Sequence, residues 1–171
     1  MAEATEALVL LARVRAGHAQ AARDAVRDHW PADASPFAAA DGTHVGRLQV
    51  LTPPGRRRRR TPHEHVLLAA DADAPIDAWI ERLRAAAPGP LDAVFGHCAF
   101  YPGAAEAAAF GRWVAANRLD VGFSVIGAPA ATLAEVGAAL DLSERIGAFA
   151  EATQGMAPSA LHAAWRAWRG A

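Results

Sequence analysis

Ala7-Leu8-Val9-Leu10-Leu11-Ala12-Arg13-Val14-Arg15 decides how the rest of the chain is read. A run that begins almost continuously apolar and ends at Gly17 predicts a strand in the middle of a sheet. Working outward, His18 to Trp30 carries Ala22, Val26 and Trp30 at fourfold spacing among arginines and aspartates, an amphipathic helix. Pro31 ends it, and a loop runs to Gly42. Two further strands, Thr43 to Leu51 and Glu64 to Ala70, enclose Thr52-Pro53-Pro54-Gly55, the arginine run Arg56 to Arg60 and Thr61-Pro62. They predict a hairpin with an extended tip. Asp71 to Pro75 suits a helix start, with acids near the positive end. Ile76, Trp79, Ile80 and Leu83 then make an i, i+3, i+4, i+7 stripe. Pro88-Gly89-Pro90 is read as the stop, and Leu91 to Tyr101 as a fourth strand.

Strand, helix, strand, strand, helix, strand is the split βαβ, or ferredoxin-like, order, an α+β class built on an antiparallel sheet. Past Pro102-Gly103 the pattern predicts a helix over 104–118 and a strand over Val121 to Ile126. Thr132-Leu133-Ala134-Glu135 has capping-box spacing and opens a long helix toward Phe149. A last helix over Ser159 to Arg169 carries Leu161, Trp165 and Trp168 on one face. The expected organisation is a ferredoxin-like unit over 1–102 and a mainly helical α-β-α-α extension over 103–171, packed on it as one structural domain.

Composition excludes several function classes. The chain has 171 residues, no lysine, 17 arginines against 18 acids, and a net charge of −1. Five arginines sit in the hairpin tip, so the remainder is acidic, which argues against a general nucleic-acid binder. The run itself reads as a solvated tip. One cysteine excludes a disulfide framework and a cysteine-rich zinc site. The missing lysine excludes Schiff-base chemistry through a lysine side chain. The start is acidic where a secretory signal is basic, and Ala7 to Ala12 is far short of the ~20 residues that cross a bilayer. The expected localisation is cytoplasmic, without membrane association.

The element order, with Gly42-Thr43-His44-Val45-Gly46-Arg47-Leu48 and His97-Cys98-Ala99-Phe100-Tyr101-Pro102 as its anchor segments, resembles the dimeric α/β-barrel superfamily. The resemblance covers residues 7 to about 102. It implies two four-stranded sheets packed against each other, usually from two subunits, and hence a homodimer. It also implies relatives among cofactor-free monooxygenases, polyketide cyclases, haem-degrading enzymes and haem peroxidases. Peroxidases that carry a GxxDG motif are a poor match, because Ala69-Ala70-Asp71-Ala72-Asp73 lacks both glycines.

Strand alternation nominates a site, since residues two apart share a face. If Leu8, Leu10, Ala12 and Val14 are core, then Val9, Leu11, Arg13 and Arg15 face away. Val66, Leu68 and Ala70 in the core put His63, His65 and Leu67 on the same open face. A fourth strand with Val94, Gly96, Cys98 and Phe100 inward adds Ala93, Phe95, His97 and Tyr101. With strand order 4-1-3-2, Arg13, His65 and His97 converge over Val9, Leu11, Leu67 and Phe95. Leu48 and Val50 in the core place Arg47 there as well, with His44 at the strand entrance. Such an apolar surface with few polar groups suits a small-molecule pocket. His65 and His97 are the candidate proton carriers; Arg13 and Arg47 are the candidate holders of an anion.

The expected function is a small-molecule enzyme for a hydrophobic, aromatic or polyketide-like substrate, working by histidine-mediated proton transfer as a cyclase, isomerase or cofactor-free monooxygenase. One alternative is a haem-binding relative with His29, His97 or His162 as axial ligand. The other is a non-catalytic ligand-binding or assembly protein that uses the open face. His63-Glu64-His65 lacks a third sequence-local ligand, so no metal and no obligate cofactor are expected. Cys98 beside His97 points to the opposite face and reads as a buried, inert thiol. Paired stacking aromatics on the central strands are missing, which disfavours RNA.

Overall fold

The structure, a computed structural model, describes residues 5–52, 63–121 and 131–170. The chain forms two compact units, Met1–Thr132 and Leu133–Ala171. The Arg56 to Arg60 run and most of the strand expected over Val121 to Ile126 lie outside the described residues.

The first unit is α+β, built on β1 (Thr5–Arg13), β2 (Thr43–Leu51), β3 (His65–Asp73) and the short β4 (Arg118–Leu119). All pairings are antiparallel, in the order β2-β3-β1-β4. β1 and β3 run alongside each other from Thr5 opposite Asp73 to Arg13 opposite His65. The expected hairpin of β2 and β3 forms, with a register shift between Thr43 and Val45 that leaves His44 bulged. Leu8, Leu10, Ala12 and Val14 on β1 are buried, as are Val66, Leu68, Ala70 and Ala72 on β3. That face carries α1 (Ala19–His29), α2 (Ile76–Ala86), α3 (Pro88–Phe95) and α4 (Ala107–Asn117). The α2 stripe of Ile76, Trp79, Ile80 and Leu83 is wholly buried. Trp79 donates its indole N–H to Thr43 Oγ1 at 2.8 Å, so its one polar atom is satisfied inside the core. The first free N–H of α2, on Ile76, is capped by Glu6 Oε2 at 3.0 Å, where Pro75 offers no side-chain cap.

The fourth strand is a correction. Leu91 to Phe95 is the body of α3, and of the expected strand only the bridge of Cys98 to Val14 remains. Pro88 marks a beginning where a stop was expected: at the first helical turn its missing N–H costs nothing and its φ is already helical. Leu91, Val94 and Phe95 then follow helical spacing, and all three are buried. The free edge of β1 is completed in two pieces. Ala99 N–H bonds to Arg13 O and Arg15 N–H to His97 O, while β4 pairs with Val9 and Leu10.

The second unit contains α5 (Leu133–Ala152) and α6 (Pro158–Arg169), both of which the sequence pattern predicts. Phe149 packs on Trp165 and Trp168 with ring centroids 5.6 and 5.5 Å apart. Neither helix has a buried residue. Among the described residues, no helix is long and apolar enough to cross a membrane.

Candidate functional site

The helices cover one face of the sheet, so side chains on the other face are the ones placed for a ligand. The register puts them in rows: Val45, Asp71 and Ala7; Arg47, Ala69 and Val9; Gln49, Leu67 and Leu11; Leu51, His65 and Arg13. Val9, Leu11, Leu67, Ala69 and His65 are half-buried, while Arg13 and Arg47 are exposed. The result is an apolar strip with a guanidinium at either end. One end holds a shallow concavity of about 240 Å³ whose lining includes Arg47, Asp71, Val45, Val9, Ala69 and Val121. The other end sets Arg13 directly across from His65. At standard strand spacing an opposed pair is about 4.5–5.5 Å apart, close enough for both side chains to engage one bound group.

Arg47 occupies the outer face, with Leu48 and Val50 packed on the core. His44 is held at the bulge by Asp73, its Nε2 lying 2.7 Å from Oδ1. His97 is drawn elsewhere. Its Nδ1 lies 3.2 Å from Nδ1 of His18, and its backbone pairs with Arg15. Two strand spacings and a two-residue offset put the His65 and His97 backbones about 12 Å apart. Burial, reinforced by His18 and Arg15, lowers the His97 pKa, because each disfavours a further positive charge.

Two expected open-face residues belong to the helical layer instead. Phe95 lies on α3 and is only 1% exposed. Tyr101 packs edge-on against Trp113 at 5.0 Å and donates its hydroxyl to Asp92 Oδ1 at 2.8 Å. The physical reason is the α3 helix, which replaces strand alternation with a helical period over 88–95. Burial and the Asp92 carboxylate push the Tyr101 pKa upward, so this phenol is a structural donor. Cys98 is buried, and burial raises its thiol to about 12; the expected inert thiol is what the surroundings produce.

The three candidate haem ligands do not fit that group. His29 is exposed at the end of α1, His97 faces His18, and His162 lies on an exposed face of α6 in an open concavity shared with Trp165, Arg166 and Arg169. Among the described residues no three histidine, cysteine or acidic side chains are grouped to hold a metal ion. His18, Asp71 and Gln49 are the neighbours that strand alternation alone missed. His18 stands 79 positions from His97, and no local pattern links them.

In comparisons with known proteins, no family model, no curated protein and no solved structure matches the chain.

Proposed function

We propose that the first unit is a ferredoxin-like module of the dimeric α/β-barrel type whose open sheet face binds a hydrophobic, anionic small molecule. The reading extends to proton transfer on that ligand, as in a cyclisation, isomerisation or cofactor-free oxygenation. The observation that carries it is the register that sets Arg13 across from His65 at one end of the strip of Val9, Leu11 and Leu67. An arginine beside a half-buried histidine supplies the two functions such chemistry needs. The guanidinium holds a carboxylate, phenolate or enolate and stabilises charge as it develops. The imidazole takes or returns the proton. Arg47, beside Asp71 in the concavity at the far end, binds a second polar group of the ligand. An elongated aromatic molecule with acidic groups at both ends suits this spacing.

The test is hydrogen–deuterium exchange at the acidic C–H of aromatic β-dicarbonyl compounds, followed by NMR with wild type, His65→Gln and Arg13→Gln. The reading expects exchange catalysed by wild type and lost in His65→Gln with its circular dichroism unchanged. Wild-type catalysis that persists in His65→Gln overturns the proton-transfer role.

A second reading has its own support. Val45 is 60% exposed, and Leu51 and Leu119 on the same sheet are also exposed, an apolar surface of the kind that marks an interaction site. If the open face serves assembly alone, Val45→Glu changes the mass in solution, and His65→Gln changes no activity.

A further inference from the structure

His18 at the start of α1 and His97 just after α3 form a histidine pair that the open-face reading does not use. A turn brings His18 N–H onto Arg15 O, and Arg15 N–H onto His97 O, so both histidine backbones are fixed to the same stretch of chain. The imidazoles meet Nδ1 to Nδ1 at 3.2 Å, with ring centroids 5.4 Å apart and planes inclined at 46°. One proton fits between the two nitrogens, so one ring donates and the other accepts. Among the described residues neither Nε2 has a protein hydrogen bond, and neither is a buried unpartnered atom.

Two nitrogens bound to one tetrahedral ion at about 2.0–2.1 Å stand about 3.3–3.4 Å apart. We infer that His18 and His97 form a two-histidine chelate for a borderline divalent cation such as Ni²⁺, Cu²⁺ or Zn²⁺. This rests on different residues from the open-face reading and stands independently of it.

Binding requires a small rotation of each ring, so that the lone pairs meet at the ion rather than at each other. The shared proton moves from Nδ1 to the solvent-facing Nε2 of the same ring, and the neutral pair binds the ion without net proton release. Imidazole nitrogen selects Cu²⁺, Ni²⁺ and Zn²⁺ over Mg²⁺ and Ca²⁺, which prefer oxygen. Water fills the remaining positions. Only neutral imidazole ligates. Arg15 opposes the ion, but its guanidinium is exposed and engaged with Gly96 O, where salt screens it. The ion would tie segment 96–99 to the β1–α1 corner and so stabilise the folded form, because the unfolded chain does not hold the two rings together.

The test titrates Ni²⁺, Cu²⁺ and Zn²⁺ separately into the full chain at pH 7.5 in chelator-free buffer, by calorimetry and by thermal unfolding. Wild type and His65→Asn should bind one equivalent with a rise in Tm, while His18→Asn and His97→Asn should each lose at least about tenfold in affinity. If a variant misfolds, substoichiometric Ni²⁺ added to wild type should broaden the His18 and His97 ring signals before those of the other histidines. No binding to wild type, undiminished binding to the double variant, or broadening that begins at other histidines overturns the inference.

Discussion

Gly46→Ala offers a prediction whose sign depends on the packing. Gly46 lies on β2 with its missing side chain directed at Phe37. A Cβ built there would stand 2.5 Å from Phe37 Cγ and Cδ2, whereas carbon atoms rest about 3.5–4.0 Å apart. The ring would have to move by about 1 Å. It cannot swing easily, because Cγ is anchored next to the backbone. Trp30 also packs edge-on against the ring at 4.8 Å, and Trp79 stacks at 6.4 Å. Overpacking of this kind costs about 1–3 kcal/mol. Alanine in a strand otherwise gains about 0.5–1 kcal/mol over glycine. The net expectation is a loss of about 0–2.5 kcal/mol, read as a lower urea midpoint with unchanged slope. At about 2–4 °C per kcal/mol for a chain of this length, Tm falls by a few degrees. In a Phe37→Leu background, with the ring gone, Gly46→Ala should be neutral or slightly stabilising, and the difference between backgrounds gives the coupling. A Gly46→Ala protein more stable than wild type would refute the placement of Phe37 under β2.

Other expectations follow from polar groups in the helical layer. His97 titrates near 6.5 when unfolded and lower when folded, so the unfolded chain binds the extra proton as pH falls through that window. Stability should therefore decline from about pH 6.5 downward, and His97→Asn should flatten that slope in urea titrations at several pH values. Cys98, raised to about 12 by burial, should resist Ellman's reagent at pH 8 in the folded protein and react fully in 6 M guanidinium. Tyr101→Phe removes the donor to Asp92, whose Oδ1 still accepts Ala104 N–H at 2.7 Å, and should cost about 1–2 kcal/mol by chemical denaturation.

The parts of the fold legible from sequence are those where one period dominates. β3 alternates cleanly and β1 does so from Leu8 onward, with the buried set on one side, and the α2 stripe falls entirely in the core. Leu91 to Tyr101 failed because Leu91, Val94 and Phe95 satisfy helical spacing, while the same segment also tolerates a strand reading. Pro88-Gly89-Pro90 punctuates either way. The resulting error carried Phe95 and Tyr101 to the wrong layer. Arg13 and His65 were legible because each lies on a strand whose facing follows from its buried neighbours. The His18–His97 contact was not, since it depends on how the chain returns to the β1 edge after α3.

The central claim, that the open sheet face is the ligand surface, is tested most directly by NMR shift mapping with an anionic aromatic probe, 1-anilinonaphthalene-8-sulfonate. The expected result is that shifts gather at 9–13, 45–49 and 65–69 and are sharply reduced in Arg13→Gln. Shifts confined to α5 and α6, or unchanged in Arg13→Gln and Arg47→Gln, would contradict it.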